Sequence, residues 1–196
     1  DIDSSIAIVH AVREAVDENL PIVVKLGSLR YAQLEQLAIG WGSSVDAVAG
    51  INAVQRRVIG EKSTDPFFNK RTWAGLSGWP IHASAREFVR NLALIRDVHD
   101  FKWEIVGSGG VSDPNGFQRL WKSGALVVQS ATGASGNPKL AAECIEQFAD
   151  VLPERPNAHG SGLLRSYLRN KDKADVLFHV LDTGGLAFIL DRVVGK

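Results

Sequence analysis

The sequence predicts an α/β fold built on a parallel sheet, and three observations carry that prediction. Short runs such as Pro21-Ile22-Val23-Val24-Lys25-Leu26 and Ala125-Leu126-Val127-Val128-Gln129-Ser130 stay apolar over consecutive residues, the texture of strands buried on both faces. Segments with apolar residues at helical spacing separate these runs. Glycine-rich or small-residue turns follow several of them, where a strand hands over to a helix.

Taken in order, Asp3 or Ser4 is placed to cap a first helix whose apolar stripe is Ile6, Val9, Val12 and Val16. The strand at residues 21–26 comes next. Tyr31 to Gly40 reads as a helix, and Val45-Asp46-Ala47-Val48-Ala49-Gly50-Ile51-Asn52 as the second strand. Residues 53–81 read as a long irregular stretch, with prolines and glycines near its end. Ser84 opens a helix that puts Phe88, Leu92 and Ile95 on one face, and Trp103-Glu104-Ile105-Val106-Gly107 is the third strand. Pro114, tolerated in a first helical turn where no N–H is needed, starts the next helix. Residues 125–130 are the fourth strand. Asn137-Pro138 then serves as cap and first residue of a helix carrying Leu140, Cys144, Phe148 and Val151.

After Pro153 the texture changes. Two prolines, Asn157 and His159-Gly160-Ser161-Gly162 read as a linker, which divides the chain into residues 1–152 and a C-terminal extension, 153–196. Helical periodicity marks 163–169, 173–181 and 186–194 in the extension, the last two parted by Thr183-Gly184-Gly185. A DNA-reading helix pair would fit that outline, but docking, lid and dimer helices are far commoner.

Lys plus Arg and Asp plus Glu are equal at 22 each, so no net field points to nucleic acid or to a membrane surface. No run reaches the roughly 20 apolar residues of a membrane-spanning helix. The acidic start, Asp1-Ile2-Asp3-Ser4-Ser5, lacks a signal-peptide pattern, and the single cysteine cannot form an internal disulfide; a cytoplasmic location is the expectation. Methionine is absent, so residue 1 is not an unprocessed translation start.

The chemistry is expected at the C-terminal ends of the strands: Lys25, Asn52, Gly107 to Val111, and Ser130 to Gly133. A lysine ending an apolar strand needs an anionic partner, either a carboxylate at the rim or the pyrimidine edge of a flavin. Gly107-Ser108-Gly109-Gly110 lies between a strand and a helix, where glycine lets backbone N–H groups approach phosphate oxygens. Gln129-Ser130-Ala131-Thr132-Gly133 repeats the arrangement one strand later, and barrels often bind phosphate with two such successive loops. Cys144 falls on an apolar helix face, where a small buried hydrophobe is commoner than a nucleophile. The five histidines show no metal-ligand spacing.

Five segments, Val24-Lys25-Leu26, Ile51-Asn52, Ala74-Gly75-Leu76-Ser77-Gly78, Val106-Gly107-Ser108-Gly109-Gly110-Val111 and Val128-Gln129-Ser130-Ala131-Thr132-Gly133, occur in the order and spacing of dihydroorotate dehydrogenases. The chain resembles that family over about residues 20–150, and Gly-Leu-Ser-Gly followed by Trp79-Pro80 is the most distinctive piece. The resemblance implies the C-terminal half of a (β/α)8 barrel that binds FMN and oxidises dihydroorotate to orotate in pyrimidine biosynthesis. Another FMN barrel acting on a different ring or enoate, and a phosphate-ligand module without catalysis, are the alternatives.

By the same resemblance, Lys25 contacts the flavin ring and Asn52 the substrate ring. Ser77 and Gly78 line the ribityl and phosphate region, and Gly109 and Gly110 bind phosphate through backbone N–H groups, as do Ala131 and Thr132. Ala131 stands where the family has Gly or Tyr, and Ala74 where it has a second Gly. The catalytic base, a Cys or Ser in the family, is expected upstream of residue 1, and a second electron acceptor is required. Four strands leave two open edges, at Val23 and Val127, so the rest of the barrel is expected from earlier sequence, another chain or a second copy in a homo-oligomer.

Overall fold

The computed structural model describes residues 1–58 and 73–148, together with the backbone of 188–190. Four parallel strands form the sheet, in the order β1 (Val23–Leu26), β2 (Ala47–Gly50), β5 (Glu104–Ser108) and β6 (Val127–Ser130). The helices α1 (Ile2–Ala15), α2 (Tyr31–Trp41), α3 (His82–Val98), α4 (Pro114–Ser123) and α6 (Leu140–Phe148) precede, connect or follow them. A fragment of a barrel-type α/β fold is what this alternation builds.

The continuous apolar runs have a physical reason. Val48, Ile105 and Val128 pack with Leu37, Phe88, Leu92, Leu120 and Leu140 of the helices in one large core. Alternate residues of the same strands, Ala47, Ala49, Val106 and Val127, form a second buried cluster. With both faces buried, β2, β5 and β6 show no polar alternation, whereas β1 at the sheet edge is only partly covered. Gly50, at the end of β2, meets the ring of Phe88, and any Cβ there would overlap it.

Local signals set the helix ends closely but not always at the expected residue. The first helix is capped by Asp1, whose carboxylate accepts from the Ser4 N–H, and not by Asp3 or Ser4. A single 3-10 turn over Trp79–Ile81 leads α3 in two residues before Ser84. Asp113 caps α4 by accepting from Gly116 N–H at 2.6 Å. The Asn137 side chain accepts from Lys139 N–H at 3.1 Å ahead of α6. Val151 lies outside the described residues.

Three features depart from the sequence reading. Within the stretch read as irregular, β3 (Val54–Arg57) and β4 (Trp73–Leu76) pair antiparallel as a hairpin. Residues 132–136 form a one-turn helix, α5 (Thr132–Gly136), directly after β6. In the C-terminal extension, Phe188–Leu190 is a strand, β7, not part of a helix, and pairs antiparallel with β6. A run of three apolar residues suits either state by composition, and pairing with an open sheet edge decides for the strand. The edge expected open at Val127 is therefore covered by the chain's own tail. The outer edge of β1 has no neighbour among the described residues. The remainder of the extension, including 163–169 and 173–181, lies outside the described residues.

Candidate functional site

The parallel strands all point the same way, so their C-terminal ends share one rim of the sheet. Register makes this concrete: Leu26 pairs with Gly50, Gly50 with Gly107, and Ser108 with Gln129. A groove of about 200 Å³ opens along that rim. All eight residues expected to bind cofactor or substrate line it. Lys25 comes from the end of β1, Asn52 from just after β2, and Ser77 and Gly78 from just after β4. Gly109 and Gly110 follow β5, and Ala131 and Thr132 follow β6.

The hairpin explains how Asn52 and Ser77, 25 positions apart in sequence, come to the same groove. Val54 pairs with Leu76 at the base of β3 and β4, so the segment leaving β2 and the segment leading to α3 run side by side. Asn52 is anchored through its backbone, whose N–H donates to the Leu26 carbonyl at 3.0 Å. The Ile51 N–H donates to the Ser108 carbonyl at 2.7 Å, joining the β2 and β5 loops.

Hydroxyl and ring nitrogen groups make further ties that the sequence did not announce. Ser108 Oγ donates to the Ile51 carbonyl at 3.3 Å, and Ser130 Oγ donates to the Val111 carbonyl at 2.6 Å. The same Ser130 oxygen accepts from Ala134 N–H at 3.2 Å. His82 Nδ1 lies 3.0 Å from the Gly109 carbonyl oxygen. Burial pulls the His82 pKa down from its ordinary value; Arg119 and Arg86 act the same way, while the Gly109 carbonyl and Asp113 oppose. Gln129 and Gly133 also line the groove.

Backbone, not side chain, forms the groove's floor at the β5 loop. Gly109 and Gly110 have φ of +126° and +68°, and a Cβ on Gly110 would stand 2.7 Å from the Gly78 carbonyl oxygen. Only glycine meets both demands without strain. Of the described residues lining the groove, Lys25 alone carries a charge. Cys144 is buried far from such a role in the helix core, and burial, with Glu143 and Asp113, pushes its thiol up to about 11. Among the described residues, no three His, Cys, Asp or Glu side chains group to hold a metal, and no helix is long and apolar enough to cross a membrane.

No family model matches the chain. It is 30% identical over 135 residues to a dihydroorotate dehydrogenase of Dictyostelium discoideum, covering 66% of this chain and 36% of that protein. It is 35% identical over 111 residues to a dihydroorotate dehydrogenase (quinone) of Haloarcula marismortui, covering 56% of this chain and 29% of that protein. The chain thus spans about a third of the length of the curated relatives it matches. In fold it is similar to the crystal structure of DHODH in complex with ferulenol from Eimeria tenella, at a TM-score of 0.62 and 16% identity, over 77% of this chain and 44% of that one. The chain is thus similar in sequence to part of two proteins named dihydroorotate dehydrogenase, and in fold to part of a third.

Proposed function

We propose that this chain carries the phosphate-binding side of an FMN site in an oxidoreductase of the dihydroorotate dehydrogenase type. The complete protein oxidises dihydroorotate to orotate, the reaction that serves pyrimidine biosynthesis. One observation carries the reading: eight residues expected at a flavin site line a single groove, and the one charged side chain among its described lining residues is a lysine. An anionic ligand is favoured by that balance, and glycine-floored turns suit a phosphate. The volume, about 200 Å³, is below the roughly 300–1,000 Å³ of whole ligand pockets. The groove therefore covers one side of a mononucleotide rather than enclosing it.

When bound, FMN supplies the two-electron acceptor. The chain's residues bind and orient. Gly109 and Gly110, with Ala131 and Thr132, would hold the phosphate by backbone N–H groups, and Ser77 and Gly78 the adjoining chain of hydroxyls. Lys25 would place positive charge against the flavin ring. Asn52, with an amide donor and an amide acceptor, would orient the substrate ring. Cys144 is no candidate for the proton-abstracting group, since its thiol is buried and held protonated.

Purification of the chain with FMN tests this. A yellow protein that keeps flavin through gel filtration and releases it completely on mild denaturation supports non-covalent FMN. Bleaching by dihydroorotate in the complete protein supports the substrate. Bleaching only by an enoate or another ring would move the reading to a different FMN barrel. Retention of a phosphate compound without flavin would leave a phosphate-ligand module.

A further inference from the structure

His82 is the buried polar group beside the groove that the flavin reading leaves without a task. It is the first residue of α3, is 4% exposed, and sits behind the Gly109–Gly110 turn. A carbonyl oxygen only accepts, so the contact from Nδ1 to the Gly109 oxygen at 3.0 Å puts the proton on Nδ1. The other nitrogen, Nε2, is buried with no hydrogen-bond partner among the described residues. A lone pair there is tolerated, whereas an N–H would be an unsatisfied buried donor.

The ring is held from its other side as well. Trp79 stacks on it, with centroids 4.9 Å apart and planes 11° from parallel, and the Arg119 guanidinium lies 5.4 Å from the Trp79 ring. The charged groups that act on the imidazole are Arg86 from α3, Arg119 from α4 and Asp113 at the α4 cap. Both guanidinium groups oppose a positive ring. Asp113 favours one, but its carboxylate already accepts from Gly116 N–H. Gly110, meanwhile, rests on the backbone of His82: a Cβ there would be 3.0 Å from the His82 nitrogen. The turn is thus seated on His82 and tied to its ring.

We propose that neutral His82, protonated on Nδ1, is a positioning residue that holds the Gly109–Gly110 turn in the shape that receives a ligand phosphate. Phosphate binding is thereby coupled to the protonation of a ring outside the groove lining. The identity of the anion rests on the flavin reading above. A second proton would need an acceptor at Nε2 that the described residues do not offer. The ring would have to leave the slot to be solvated, the Gly109 carbonyl would lose its donor, and the turn would loosen.

The test uses the whole chain and FMN as probe, with dissociation constants from flavin fluorescence at about pH 7.5 and about pH 5.5, on either side of the ordinary histidine pKa. Wild type, His82→Asn and His82→Leu are compared, together with amide hydrogen exchange over residues 107–112 without FMN and a thermal melt. Asn can present an amide N–H where Nδ1–H stood, and it does not titrate. One lost hydrogen bond corresponds to about a tenfold change in affinity. His82→Leu should bind FMN about tenfold more weakly at the higher pH, and its 107–112 amides should exchange faster. His82→Asn should keep both properties near wild type and should lose less affinity in acid than wild type, the loss common to both being that of the ligand phosphate's own protonation at about pH 6. A folded His82→Leu with wild-type affinity and exchange overturns the proposal, and so does a His82→Asn that loses as much affinity in acid as wild type does. If His82→Leu does not melt cooperatively, His82→Asn alone decides. Wild type that binds no FMN at either pH overturns the flavin reading instead, and the exchange comparison still decides whether His82 holds the turn.

Discussion

The hydroxyl of Ser130 donates to the carbonyl oxygen of Val111 at 2.6 Å, so the last residue of β6 holds the loop that leaves β5. Because the same oxygen accepts from Ala134 N–H, one buried side chain ties two groove loops to the start of a helical turn. Ser130→Ala would leave a buried carbonyl and a buried N–H without their partner, at a cost of about 1–3 kcal/mol. Urea unfolding should show a loss in that range, while Ser135→Ala, at an exposed position, should stay within about 0.5 kcal/mol of wild type. Equal midpoints for the two variants would mean that the Ser130 contacts contribute nothing.

Gly110 separates backbone demand from mere proximity to the groove. At φ +68°, an alanine pays roughly 1–2 kcal/mol for the left-handed conformation. Its Cβ would also press on the Gly78 carbonyl and the His82 backbone. Gly110→Ala should therefore lower stability by more than that figure and weaken FMN binding. At Gly136 a Cβ would meet nothing within 4 Å, so Gly136→Ala should be neutral or slightly stabilising. Denaturation midpoints and FMN titrations of both variants check the contrast.

Stability should also carry a signature of His82. Its pKa in the fold lies below the ordinary 6.5, first because of burial, so the unfolded chain takes up the proton more readily than the folded one. Stability rises with pH wherever the unfolded state binds more protons. The contribution is therefore present above about pH 6.5 and is lost as pH falls from there through the folded value. The difference in unfolding free energy between wild type and His82→Asn, measured at several pH values, isolates it. A difference that does not vary with pH would contradict the assignment.

These residues also show what was legible in the sequence. Strands β2, β5 and β6 were readable because burial on both faces leaves continuous apolar runs, and β1, at the sheet edge, because it keeps a similar run although it is half exposed. Val54-Gln55-Arg56-Arg57 hid the hairpin: three of its four residues are exposed, and the pairing that makes it a strand comes from residues 73–76. Phe188–Leu190 was unreadable for a related reason, since its state is set by the edge of β6 and not by its own period. In the groove, strand-end position and family resemblance brought Lys25, Asn52 and the glycine loops into view. His82, Ser108 and Ser130 act on backbone carbonyls 27, 57 and 19 positions away, and no local pattern announces such a partner.

Cys144 supplies a chemical check on the core. The side chain is 1% exposed, and burial foremost pushes its thiol up to about 11. The thiolate is the reactive species, so the folded protein should resist iodoacetamide near pH 8. In urea the residue is solvated, its ordinary acidity returns, and labelling should go to completion in minutes. Mass spectrometry of the two reactions reads this directly. Fast labelling of the native chain would place Cys144 outside the α4–α6 core.

The last prediction concerns the sheet edge that no other described strand pairs with. On one side, β7 pairs with β6; on the other, β1 has no neighbour among the described residues, and Val23 is 46% exposed. A bare edge offers unpaired N–H and C=O groups to any other extended chain, and an apolar residue on it adds to the attraction. We expect the isolated chain to self-associate through β1, so that light scattering after size exclusion finds species heavier than 21.2 kDa in proportions that grow with concentration. Lysine at an edge opposes such pairing by its charge and hydration, and Val23→Lys should lower the associated fraction with little effect on the melting temperature, since the replaced side chain is exposed. A single species at 21.2 kDa across the concentration range would show that the β1 edge is not used. Unchanged association in Val23→Lys would move the contact elsewhere, with the exposed Leu94 and Val98 of α3 as the next apolar surface to vary.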